Sequence, residues 1–173
     1  MAPKDGREFQ QMLELAVSLD KPVAVRYPRA NTLLAADAPR PLVFGRAELI
    51  ADGADFAVVA LGSMVSVAQE AIGLLKKEGF SGSLVNARFA VPIDMELIKN
   101  VCAKTKYVFT MEEGIKESGF GSAVAQELGR PVVRMGLPFE FIPHGPRELL
   151  LEKYGLSASG VAGSIRHFLK DNG

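Results

Sequence analysis

Cysteine is nearly absent from these 173 residues: Cys102 stands alone, so the chain can form no internal disulfide and no cysteine-based zinc cluster. A lone thiol fits a reducing, cytoplasmic setting. There is no tryptophan, and the two histidines, His144 and His167, lie far apart with no paired carboxylate motif, which leaves no metal site to propose. Charge of one sign is missing as well. Twenty basic and twenty acidic side chains cancel, so the excess of Lys and Arg that drives nucleic-acid binding is absent. No apolar run approaches the ~20 residues of a membrane span, and Met1-Ala2-Pro3-Lys4-Asp5 lacks the apolar core of a signal peptide. What is present is ordinary for a globular protein: 48% hydrophobic and 23% charged residues, at a length that suggests one domain, or one domain and part of another.

The chain opens as a helix. Asp5 and Glu8 form a capping-box-like pair, and Phe9, Met12, Leu13, Ala16 and Val17 recur at helical spacing. The helix should stop near Asp20, because Lys21 precedes Pro22. Val23 to Tyr27 reads as a short strand closed by Pro28. One helix and one strand cannot bury a core, so their apolar face lacks partners and the segment should be loosely ordered. Residues 30–44, with Pro39 and Pro41, read as an interdomain linker.

Beyond Gly45 a regular alternation begins. Ala47–Ile50, Phe56–Leu61, Ser83–Phe89, Tyr107–Met111 and Val132–Met135 read as five strands, the second a continuous apolar run of the kind covered on both faces. Between them lie helices beginning after Ser63, Asp94 and Gly119, and two more finish the chain, Pro146–Tyr154 and Ser157 to about Lys170. Gly79 and Gly129 mark helix ends. Strands alternating with helices imply right-handed crossovers and a mostly parallel, three-layer α/β unit, with its first strand antiparallel at an edge.

Ligands in open α/β sheets usually bind beyond the carboxyl ends of the strands, here Gly62-Ser63, Glu112-Glu113-Gly114 and Gly136-Leu137-Pro138. Gly119-Phe120-Gly121 supplies two glycines of a dinucleotide fingerprint, but Val124 stands at the third position, and close helix packing is the competing reading. Adjacent Glu112 and Glu113 point to opposite faces of a strand and cannot converge on one atom; a solvated loop or an ion pair with a neighbouring domain accounts for them. His144 sits in a rigid loop before a helix, in either a structural or a catalytic role, and His167 reads as a surface residue. From residue chemistry alone the α/β unit is a scaffold without catalytic, cofactor-binding or metal-binding residues. Arg26-Tyr27-Pro28-Arg29 is different: two guanidiniums flank an aromatic at a strand end, which suits bidentate phosphate recognition or a pair of interdomain salt bridges.

The segment Pro22-Val23-Ala24-Val25-Arg26-Tyr27-Pro28-Arg29-Ala30-Asn31 resembles the R-Y-P-R-G-N signature of the 1-deoxy-D-xylulose-5-phosphate synthases. Leu61-Gly62-Ser63-Met64, Val85-Asn86-Ala87-Arg88-Phe89, Pro92-Ile93-Asp94, Glu112-Glu113-Gly114, Gly119 to Val124, Gly136-Leu137-Pro138 and Phe141-Ile142-Pro143-His144-Gly145 continue the match in order across essentially the whole chain. The resemblance implies a transketolase C-terminal-like domain over 45–173, with a mostly parallel five-stranded sheet and one antiparallel edge strand. By the same resemblance, residues 1–29 are the end of a pyrimidine-binding α/β domain and 30–44 a linker. It implies that a longer homodimeric enzyme condenses pyruvate with glyceraldehyde 3-phosphate on thiamine diphosphate and magnesium, that the cofactor-binding segments lie outside this chain, and that Arg29 holds the phosphate of the aldehyde substrate. The product of such enzymes feeds isoprenoid, thiamine and pyridoxal synthesis. Ala30 departs from the signature's glycine, which puts the loop geometry there in question. The alternatives are the C-terminal half of a split transketolase or of a 2-oxo-acid dehydrogenase beta chain, or a non-catalytic interaction module.

Overall fold

A computed structural model describes residues 1–29 and 40–172. Most of the linker expected over 30–44, and Ala30 with it, lies outside the described residues.

Helix α1 (Gly6–Ser18) starts where the cap pattern places it: Asp5 Oδ1 accepts the amide of Glu8 at 2.8 Å. The expected strand over Val23–Tyr27 does not form. The segment is extended, but its main-chain partners are the chain's own first residue, with Met1 N donating to Ala24 O at 2.8 Å and Arg26 N donating to Met1 O at 2.9 Å. β-propensity alone makes no strand without a neighbour to complete the ladder.

The alternation after Gly45 becomes one five-stranded sheet in the order β1-β3-β2-β4-β5, from β1 (Glu48–Ala51), β2 (Phe56–Ala60), β3 (Gly82–Asn86), β4 (Tyr107–Ile115) and β5 (Val133–Leu137). β1 is the antiparallel edge strand, and it pairs with β3; the remaining pairings are parallel. Helices α2 (Met64–Lys77) and α6 (Ala158–Asn172) cover one face, with the short α5 (Arg147–Lys153), while α3 (Met95–Cys102) and α4 (Phe120–Leu128) cover the other. Strand alternation divides the core accordingly. In β2, Phe56, Val58 and Ala60 face α2 and α6, whereas Ala57 and Val59 face α3 and α4; all five are fully buried.

Two strand ends differ most from the sequence reading. β3 ends at Asn86 because Arg88 adopts a positive φ of 58° and turns its side chain inward. β4 runs on to Ile115, past an irregularity in its register, because β5 continues beside it and pairs Leu137 with Ile115. Ser63 precedes α2, yet its backbone is already helical and its hydroxyl does not cap the helix. Asp94 does cap α3, accepting the Leu97 amide at 3.2 Å, and Gly129 ends α4 at φ 61°.

Candidate functional site

The opening segment rests on the carboxyl edge of the sheet, and one acidic residue accounts for most of that attachment. Glu8 is 1% exposed. Its carboxylate accepts from Lys4 N at 2.7 Å, Asn86 Nδ2 at 2.9 Å and Arg88 Nε at 2.8 Å. Arg88 is itself buried and extends its Nη2 to Glu48 Oε2 at 3.0 Å. Lys4 Nζ lies within 3.6 Å of Asp5, Glu8 and Glu48. Burial works against the Lys4 ammonium, but Glu8, Glu48 and Asp5 together outweigh it and hold its pKa above the ordinary lysine value. Ala2, also buried, donates its amide to Arg88 O at 2.9 Å. The capping box is therefore only half used in the usual way: Glu8 reaches the amide before its cap residue and docks the helix on the sheet. Of the apolar stripe, Met12 is fully buried, whereas Leu13 and Val17 are exposed.

Arg26 and Arg29 take different tasks. Arg26 Nη2 donates to Glu113 O at 3.2 Å and lies 3.7 Å from Glu113 Oε2, so it makes a bridge between the opening segment and the sheet. Glu113 also accepts from Arg147 Nη2, at the start of α5. Tyr27 packs its ring on Phe9, centroids 4.5 Å apart. This arrangement sets Arg29 on the wall of a cavity of about 460 Å³, lined as well by Lys4, Asp5, Tyr27, Ser63, Ser66 and Arg147. Among the described residues Arg29 has no hydrogen-bond or ion-pair partner.

The other candidates resolve as structural groups. Glu112 is buried, not a solvated loop residue, and its carboxylate accepts the amides of Phe120 at 3.0 Å and Gly121 at 2.8 Å. A side chain of the protein thus occupies the one helix start that carried glycines of a nucleotide fingerprint, where the dipole favours an anion. The glycines are required by close approach: a Cβ at Gly119 would lie 2.2 Å from the Glu112 carboxylate, and one at Gly121 would lie 2.3 Å from Thr110 Oγ1. His144 is exposed, and His167 is exposed beside Asp171 at 3.2 Å. Among the described residues no three His, Cys, Asp or Glu side chains converge to hold a metal ion, and no helix is long and apolar enough to cross a membrane. Lys4 and Arg147 were not singled out from the sequence, whereas Glu113 was read there as a solvated residue or one half of an ion pair, and it pairs with Arg26 and Arg147. Only the position of Arg147 directly after Pro146, at a helix start beyond the carboxyl end of β5, could have drawn attention to it.

The sequence model of the family described as Transketolase, C-terminal domain, matches residues 45–161. The chain is 43% identical over 169 residues to the 1-deoxy-D-xylulose-5-phosphate synthase of Heliobacterium modesticaldum, covering 94% of this chain and 26% of that protein. It is 40% identical over 178 residues to the enzyme of the same name from Gloeobacter violaceus, covering 98% and 28%. The chain therefore spans about a quarter of the length of these curated relatives. Among solved structures, a split-gene transketolase described as an inactive beta4 tetramer superposes with a TM-score of 0.86 at 32% identity, over 98% of this chain and 56% of the other. The transketolase of Campylobacter jejuni, at 21% identity and a TM-score of 0.72 over 96% of this chain and 25% of the other, shares the fold.

Proposed function

This chain belongs to the transketolase C-terminal domain family, and from that premise we propose that it is the C-terminal part of a 1-deoxy-D-xylulose-5-phosphate synthase. Such an enzyme joins pyruvate to glyceraldehyde 3-phosphate with loss of carbon dioxide, using thiamine diphosphate and magnesium held by other parts of the protein. Residues 1–29 close a pyrimidine-binding domain, 30–44 link it to the next, and 45–173 form the C-terminal domain. The role of this piece is to bind and orient: Arg29 takes the substrate phosphate while the α/β domain contributes to a homodimer in a cytoplasmic enzyme. The observation that carries the reading is that, of the two arginines in the Arg-Tyr-Pro-Arg segment, Arg26 is committed to Glu113 and Arg29 faces the cavity without a partner among the described residues.

A second reading is the C-terminal half of a split transketolase, favoured by the superposition on a split-gene transketolase along almost the whole of this chain. The two differ in the donor. In an assay with pyruvate, glyceraldehyde 3-phosphate, thiamine diphosphate and magnesium, the chain alone should form no 1-deoxyxylulose 5-phosphate. Joined to the N-terminal part of a synthase relative, it should form that product. Product from the chain alone, or a joined enzyme that uses a ketose donor and ignores pyruvate, would overturn the proposal.

A further inference from the structure

The charges around the cavity do not balance, and the imbalance identifies a second group for the same substrate. The network beside the cavity is even: Lys4, Arg40 and Arg88 face Asp5, Glu8 and Glu48. Asp5 lines the cavity, but it is already committed to Lys4 and to the cap of α1. On the open side stand three guanidiniums, Arg26, Arg29 and Arg147, against the single carboxylate of Glu113, which pairs with Arg26 and Arg147 and leaves Arg29 without a partner among the described residues. The surplus is two positive charges, and two of the three arginines, Arg29 and Arg147, line the cavity.

Arg147 is held but not satisfied. Its Nη2 donates to Glu113, while its Nε is cut off from solvent and has no hydrogen-bond partner. An unpaired guanidinium donor of this kind is costly and is normally satisfied by an anion or a carbonyl. Ser63 lines the same cavity and does not use its hydroxyl to cap α2, whose positive end faces this side. Two guanidiniums, an uncommitted hydroxyl and a surplus of two charges match a phosphate monoester, which carries roughly −1.5 to −2 at neutral pH and offers three acceptor oxygens.

We propose that Arg147, oriented by Glu113, is a second phosphate ligand beside Arg29, so that the cavity grips a phosphate monoester dianion between two arginines. The inference rests on the reading of Arg29 above and adds to it a specificity-determining residue on α5. Glu113 is a positioning residue, since it touches the arginines and not the phosphate.

The test is a ¹H–¹⁵N NMR titration of the 173-residue chain with inorganic phosphate, with glycerol 3-phosphate and with glycerol. Both phosphates should shift the amides around Arg29, Ser63 and Arg147 along one binding curve, and glycerol should shift none. Arg147→Met should weaken glycerol 3-phosphate about tenfold, the loss of roughly one charge-assisted hydrogen bond. Arg147→Lys, which keeps the charge but not the fork, should fall between the two and guards against local misfolding of α5. Arg166→Ala, which removes an arginine paired with Glu78, should leave the affinity unchanged. If Arg29→Ala abolishes binding and Arg147→Met leaves it intact, the second ligand is refuted and the reading of Arg29 survives. If the chain binds neither phosphate, the inference fails outright, while product formation by the joined enzyme still decides the proposed function separately.

Discussion

Replacing Glu8 by alanine should release the opening segment from the α/β domain. Glu8 is 1% exposed and takes charge-assisted hydrogen bonds from Arg88 and main-chain and amide hydrogen bonds from Lys4 and Asn86. Removing one partner of a buried ion pair costs about 3–5 kcal/mol, because the remaining charge is left uncompensated. Glu48 still reaches Arg88 at 3.0 Å, which places the loss near the lower end, about 3 kcal/mol. That corresponds to a roughly 150-fold larger population of the undocked segment. Apolar burial adds little resistance to undocking, since Met12 is the one residue of the helical stripe that is fully buried and Leu13 and Val17 face outward; the Ala2 amide on Arg88 O, Lys4 beside Glu48 and the Arg26–Glu113 bridge remain. Amide exchange followed by mass spectrometry or NMR should therefore accelerate by roughly two orders of magnitude across α1 and residues 23–27. Amides of β2, enclosed between two helical layers, should change far less. The double replacement Glu8→Leu with Arg88→Met should recover much of the loss, since apolar pairs of similar volume commonly substitute for buried ion pairs. Exchange in α1 that stays within twofold of the parent after Glu8→Ala would refute the attachment described here.

Two further perturbations probe the scaffold. Gly121→Ala places a Cβ 2.3 Å from Thr110 Oγ1 and 3.2 Å from Arg134 Cγ, so α4 must shift away from its Glu112 cap; a loss of about 1–3 kcal/mol in urea denaturation is expected, and an unchanged midpoint would mean that the helix tolerates the displacement. Burial pushes the Cys102 thiol up to about 11 from its ordinary 9.0, with Arg130 opposing in part. The thiol should thus react with a disulfide reagent at pH 8 far more slowly in the folded chain than in urea. The unfolded thiol ionises first, so its contribution to stability is constant below pH 9 and declines between pH 9 and 11. Cys102→Ala should remove that part of the alkaline decline in the urea midpoint, and an identical decline in the variant would count against the shift.

The sheet was legible because its information is local: the run Phe56–Ala60 could only be a strand covered on both sides, and the helical stripes around it supply the two covers. The antiparallel edge followed from the shortness of the turn after it, although the partner proved to be β3. What stayed hidden depends on pairings between distant residues. Val23–Tyr27 has the composition of a strand but joins no sheet among the described residues, where Met1 is its main-chain neighbour. Glu8 carries the signature of a helix cap, yet its fate is set by Arg88, eighty residues away. Glu112 and Glu113 were correctly separated to opposite faces, but only the assembled fold shows one capping α4 and the other joining Arg26 to Arg147. Arg29 was visible through its motif and Arg147 was not, because its one local mark, a helix start after Pro146, does not say that it faces the same cavity.

The most direct test of the account is a pair of Michaelis constants measured in an enzyme carrying these 173 residues as its C-terminal part, with and without Arg29→Ala. Loss of a bidentate guanidinium–phosphate contact, worth at least about 1.5–3 kcal/mol, should raise KM for glyceraldehyde 3-phosphate about tenfold or more and leave that for pyruvate within about twofold. Equal increases for both substrates, or none for the phosphate, would contradict the claim that this chain holds the substrate by its phosphate.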